Sequence, residues 1–239
     1  MMAAPLAFFP LAPGLEPPRR ADNSADGTMP TRAYRYCEAM RLAAGAGCAV
    51  TAAADLDLCL DDHRQVLVRQ PGEAWRTLTE EGEALPGLEE TAAEAPPEAR
   101  AAPAMVSRLR EVGMVQLWTG WLVRCPAEHL VWMRWPANVP QLAGAHVWEG
   151  CVDASRVRPV FVNLTLASRG IVSIRRGPPL VQLVPVPAPA LRQAPALLVA
   201  PLTPEFWAEY AATMIAPADG AGAVGDYARE QRKAARAGA

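Results

Sequence analysis

Residues 146–187 carry four short apolar segments, each closed by turn chemistry, and this restricts the fold more than any other feature of the chain. His146–Val152 ends at Asp153-Ala154-Ser155, and Pro159–Leu166 ends at Ser168-Arg169-Gly170. Ile171–Ile174 ends at Arg175-Arg176-Gly177, a pair of arginines read as a solvated turn, and Leu180–Val186 stops at prolines. Strands spaced about ten residues apart, with Gly, Pro and Ser between them, read as an antiparallel sheet or barrel.

The same pattern begins upstream. Met114–Val123 sets Val115, Leu117, Thr119, Trp121 and Val123 on one face, with Gly113 and Gly120 read as marks of a bulge or of a close approach of backbone. His129–Trp135 returns as a strand, and Pro136–Pro140 makes a stiff loop. Leu56, Leu58 and Leu60 alternate with Asp55, Asp57 and Cys59, the period of a half-buried strand, and Val66 and Val68 continue it as a hairpin. Residues 5–10 form a first β segment. Helical spacing of Ala33, Tyr36, Cys37 and Met40 predicts a helix over 32–44, with Thr31 as its N-cap. Residues 80–103, rich in Glu and Pro, read as a mobile loop. A Pro-rich linker after Pro187 leads to a helix capped by Thr203-Pro204-Glu205, within a helical extension over 203–237. The expected architecture is therefore one mainly β domain over 1–239. Its core is a distorted antiparallel jelly roll or β-barrel over 49–187, with one N-terminal helix and one or two at the C-terminus.

Charge and cysteine usage narrow the partners. A net charge of −2 over 239 residues makes no electrostatic case for nucleic acid or an anionic membrane. No run of about 18 apolar residues reads as a membrane span. The apolar start is broken by prolines and lacks a basic stretch, so no signal peptide is expected. Five cysteines, an odd number with no C-x-x-C pair, point to a reducing cytoplasm.

Two resemblances follow from motifs. The segments GTMPTRAYRYCEA (27–39), VQLWTGWLVR (115–124), MRWPANVP (133–140), WEGCVD (148–153), FVNLTL (161–166) and PLVQLVPVP (179–187) resemble an uncharacterised bacterial domain family, which implies no activity. Residues 150–184 are similar to the barrel segment of dUTP pyrophosphatases and dCTP deaminases. The shared pattern is Gly150, Cys151, Val152 and Asp153, then Val160–Asn163, Ile174, Gly177 and Gln182-Leu183. That resemblance implies a distorted jelly-roll barrel, often trimeric, in which the residue matching Asp153 touches the sugar or activates water. MRWPANVP falls at the position of those enzymes' phosphate loop. Ala137 and Asn138 replace its serines, and Arg156, Val157 and Arg158 replace the usual aromatic and acidic residues.

Candidate chemistry gathers around the same strands. Asp153 is the candidate catalytic carboxylate, or else the cap of its own turn. Arg134, between Trp132 and Trp135, is either an inward fork for a carboxylate or phosphate or a cation stacked on indole. Arg134, Asn138, Trp118, Trp135 and Trp148 are the candidate ligand-binding residues, with the tryptophans divided between core and pocket wall. No metal site is expected: Cys125 with His129, and Asp61-Asp62-His63, follow no recognised ligand pattern. Nothing fixes the geometry of a nucleophile built from Cys151 and His146, and no cofactor is specified. The reading is of a protein that binds a small molecule in a β-barrel, a tailoring or accessory enzyme of bacterial specialised metabolism. It would hold an apolar ligand on Trp residues with an anionic group on Arg134. A nucleotide-handling relative of the dUTP and dCTP enzymes and a non-enzymatic interaction module are the alternatives, and exposed strand edges admit a dimer or trimer.

Overall fold

A computed structural model of the chain describes residues 6–93, 95–96, 102–167, 170–214 and 233. The chain is mainly β, as its strand spacing predicts, with every pairing antiparallel among the described strands. The first sheet runs β1 (Ala7–Pro10), β8 (Met114–Arg124), β12 (Arg158–Leu166), β10 (Ala145–Trp148), with β7 (Val106–Arg108) also on β8. The second runs β11 (Gly150–Val152), β9 (His129–Arg134), β14 (Pro179–Pro187), β3 (Cys48–Thr51), β2 (Arg19–Arg20). The third runs β13 (Val172–Ile174), β4 (Leu56–Leu60), β5 (Val66–Arg69), β6 (Arg76–Thr77). All three contribute to one apolar core that includes Val50, Leu58, Val115, Val131, Leu164 and Leu183. Among the described residues the ladders surround this core as three separate sheets.

The bulge encoded by Gly120 sets the middle of β8. Pro159 pairs with Leu122 and Phe161 with Trp118, so β8 spends extra residues between two partners that are nearly adjacent on β12. Gly120 adopts φ +80°, the left-handed region that favours glycine, and a Cβ there would crowd a Leu15 methyl at 2.8 Å. The shift in parity buries Trp118 and Trp121 together, and the Trp118 indole N–H donates to the Trp121 carbonyl at 3.0 Å.

Five expectations from local pattern are corrected by tertiary context. The helix over 32–44 is two, α1 (Thr31–Tyr36) and α2 (Glu38–Ala44), broken at an extended Cys37. They pack only on a small cluster of Ala25, Met29 and Ala44, so no continuous apolar stripe is required of them, and Tyr34 and Tyr36 stay exposed. β4 is buried on both faces rather than one. The segment over 146–152 is two strands in different sheets, β10 on β12 and β11 on β9, parted at Glu149. The stretch after Pro187 opens with a helical turn, α4 (Ala188–Arg192). The loop over 80–103 also holds a short helix, α3 (Leu88–Ala92). The basic segment 226–237 lies, apart from Lys233, outside the described residues.

Burial of both faces of β4 is made possible by a charge network at Asp57. Its carboxylate accepts from Arg175 at 2.7 Å, Ser173 at 2.9 Å and Arg69 at 3.2 Å, joining β13, β4 and β5. Arg175 is thus a structural ion-pair partner and not a free turn residue; it also donates to the Leu56 carbonyl at 2.9 Å. Burial pushes the Asp57 carboxyl up, but the hydrogen bonds from Arg175, Ser173 and Arg69 outweigh it and hold it below the usual range. The arginines are partly exposed and can rehydrate, so we expect Asp57→Ala to cost about 2 kcal/mol, below the range for a fully buried pair. A depressed native pKa stabilises above the unfolded value, near pH 4, and that contribution is lost as pH falls through the native one. In urea titrations the gap between wild type and Asp57→Ala should therefore narrow in acid. An equal gap at pH 7 and pH 2.5 would refute this.

Candidate functional site

The divergence of β10 and β11 at Glu149 holds two sheets apart, and a cavity of about 330 Å³ lies between them. One wall is Phe161, Pro159 and Val162 of β12. The opposite wall is Met133 of β9 and Val181 of β14, and Val147 and Val152 lie on either side of the crossing. The period-2 pattern of β12 explains its wall: Val160, Val162, Leu164 and Leu166 are buried, while alternate residues are only partly so. Trp148 stands at the mouth, 52% exposed, its indole N–H donating to Thr165 Oγ1 at 2.8 Å. His146 meets that ring edge-on at 4.6 Å.

Five polar side chains besides Trp148 line this apolar chamber: Gln116, Arg134, Glu149, Arg158 and Asn163. Gln116 donates to Asn163 Oδ1 at 3.1 Å, so that pair is partly self-satisfied. Glu149 Oε2 accepts from the Trp132 indole at 3.0 Å. Arg134 combines the two sequence readings. Its guanidinium lies 4.9 Å from the Trp132 ring centroid, and the residue also lines the cavity. Among the described residues its guanidinium has one hydrogen bond, a long one from Nε to the Trp135 carbonyl at 3.4 Å. Arg158 donates through Nε to the Asp153 carbonyl at 3.2 Å. Among the described residues neither arginine has a carboxylate within ion-pair distance, although Arg158 is near enough to Asp153 to help hold that carboxyl below its usual range. Two cationic residues on the border of an apolar space are suited to an anionic group on an apolar body.

The other sequence candidates lie elsewhere. Trp118 belongs to the core, 1% exposed. Trp135 donates its indole N–H to the Val139 carbonyl at 3.0 Å, bracing the 136–140 loop. Asn138 sits at φ +64° and donates its amide to the Met40 carbonyl at 3.0 Å, which fastens that loop to α2. Asp153 is outside the lining. It accepts from the Ser155 N–H at 3.0 Å and meets Arg192 at 3.4 Å. Hydrogen bonds from the Ser155 hydroxyl and backbone hold its carboxyl below the usual range, a weak base at neutral pH. Of the candidates, the fold brings Arg134 and Trp148 to one cavity. Arg158, Glu149 and Phe161 join them there without having stood out in the sequence; the basic run at 156–158 was the available signal for Arg158.

Among the described residues no group of three His, Cys, Asp or Glu side chains is placed to hold a metal ion. Cys151 and His146 fall on strands of different sheets. No helix among the described residues is long and apolar enough to cross a membrane. No protein-family model matches the chain, and no curated protein matches it.

Proposed function

We propose that this protein binds a small amphipathic carboxylate in the cavity between β12 and the β9–β14 pair. The observation that carries the reading is the presence of Arg134 and Arg158, neither within ion-pair distance of a described carboxylate, on an otherwise largely apolar lining. The apolar body lies against Phe161, Val147, Val152 and Val181, and the carboxylate meets the guanidiniums. A chamber of about 330 Å³ is at the small end of ligand pockets, which favours a single chain or ring system over a large cofactor.

A binding role is favoured over catalysis by the polar groups available. Among the described residues Glu149 is the sole carboxylate on the lining, and it is engaged by the Trp132 indole. A tailoring or accessory task in bacterial metabolism remains compatible with this reading as presentation or storage of a substrate acid.

A thermal-shift series tests it. Decanoate and 2-naphthoate should raise the melting temperature, whereas decanol and naphthalene-2-methanol should raise it far less. Stabilisation by binding follows the ratio of ligand concentration to Kd, so about 2.7 kcal/mol is expected at a hundredfold excess over Kd. Equal shifts from acids and alcohols would remove the arginines from the account. A shift from nucleoside triphosphates alone would replace it with nucleotide binding.

A further inference from the structure

The C-terminal helix α5 (Pro204–Met214) begins at an encoded cap, with the Phe206 N–H donating to Thr203 Oγ1 at 3.2 Å. Helical spacing sets Phe206, Trp207 and Tyr210 on one side and Glu205 and Glu209 on the other. The rings form a cluster, with centroids 5.3 Å apart for Phe206–Trp207, 6.1 Å for Phe206–Tyr210 and 5.6 Å for Trp207–Tyr210. All three rings are nonetheless exposed, Trp207 at 51%. The segment leading to them is barer still: Leu197 is 91% exposed, Leu198 86% and Val199 99%. An apolar run continuous with an aromatic helix face marks a surface made to be covered.

Its root lies at the rim of the cavity. α4 is pinned where the Ala188 N–H donates to the Glu128 carbonyl at 2.9 Å, and Arg192 meets Asp153 at 3.4 Å. Asp153 directly follows Val152 and accepts, through its carbonyl, from Arg158; both of those residues line the cavity. From that root, residues 193–203 span at most roughly 36 Å at full extension. Neighbouring strands are about 4.8 Å apart, so this tether reaches every part of the mouth. The mouth presents the exposed face of Trp148, an apolar surface matched to the aromatic rings.

We infer that α5 is a lid, seating its Phe206–Trp207–Tyr210 face over the Trp148 side of the cavity of its own chain. The inference rests on the reading of that cavity as a ligand site. Glu205 and Glu209 then face water, away from the ligand's anionic end. A second copy of the chain is the less favoured host for the helix. A short tether keeps the helix close to the cavity of its own chain, at a local concentration above that of a free partner at ordinary protein concentrations.

Cross-linking of the full-length chain without ligand tests the docking. Gly150 lines the cavity, is exposed and has open space for a side chain, so Gly150→Cys in a Cys151→Ser background puts a thiol on the lining, and Ala211→Cys adds one at the edge of the aromatic face. A short bis-maleimide followed by peptide mapping should give a 150–211 link in the monomer band. Its yield should fall at least fivefold when Phe206 and Trp207 are both replaced by Ala. Absence of the link, a link confined to dimers, or a yield indifferent to the aromatic residues each overturns the intrachain lid. In wild-type cysteine background, Phe206→Ala/Trp207→Ala should release decanoate about tenfold faster; unchanged release would overturn the closing role. If decanoate fails to bind the wild type at all, the cavity reading falls, and the cross-link alone decides the docking.

Discussion

Gln182→Leu should lower the unfolding free energy by about 3–4 kcal/mol, because it strands several buried polar groups at once. Gln182 is 1% exposed on β14. The two N–H groups of its amide are shared among the carbonyls of Ala43 and Ala44 at 3.0 Å and of Ala46 at 2.7 Å, at and just beyond the end of α2. Its carbonyl oxygen accepts from the Ala137 N–H at 3.0 Å, in the loop after β9. One side chain thus satisfies the end of a helix, which otherwise leaves carbonyls unpaired, and a buried loop amide. Leucine matches the size and offers neither donor nor acceptor. The midpoint of urea unfolding should fall with an unchanged slope. A loss under about 1 kcal/mol would mean that water reaches these groups and that Gln182 is not the joint described.

Arg134→Ala is expected to weaken binding of a carboxylate ligand by about 10- to 100-fold, the range for removing a charge-assisted hydrogen bond worth about 1.5–3 kcal/mol. Arg134 is held ready for that contact. Its guanidinium is stacked on Trp132, and β9 pairs with both β11 and β14, fixing its backbone. Stacking against an indole leaves the planar fork free for in-plane acceptors. Arg158→Ala should cost less, because this residue is exposed and better screened. The order matters: a larger loss at Arg158 than at Arg134 would move the anionic end of the ligand to the outer rim.

What was legible in the sequence followed from local chemistry. Turn residues between the apolar runs marked the strands of 114–187, and a glycine inside an apolar strand marked the bulge, since glycine takes a positive φ without steric cost. Thr203 announced the start of α5 through its hydroxyl. Arg134 and Trp148 stood out because a cation among indoles and a tryptophan at a strand end are conspicuous in a linear reading. The rest depended on partners distant in sequence. Asp57 looks like the wet position of an alternating strand until Arg175, far along the chain, arrives beside it. Gln182 looks like one polar residue in a run of Leu and Val, and its four contacts exist only once α2 and the 136–140 loop are in place. The change of sheet at Glu149 left no sequence mark of its own beyond the glycine after it, yet it is what opens the cavity. Asn138 was drawn toward the site by its neighbour Arg134, whereas its amide is committed to Met40.

The most direct test of the cavity account is a calorimetric cycle with decanoate and decanol titrated into the wild type and into Arg134→Ala. The account predicts that wild type prefers decanoate by at least tenfold, and that this preference collapses in the variant while decanol affinity stays within about twofold, since the apolar walls are untouched. A preference for the acid that survives intact in Arg134→Ala would contradict it.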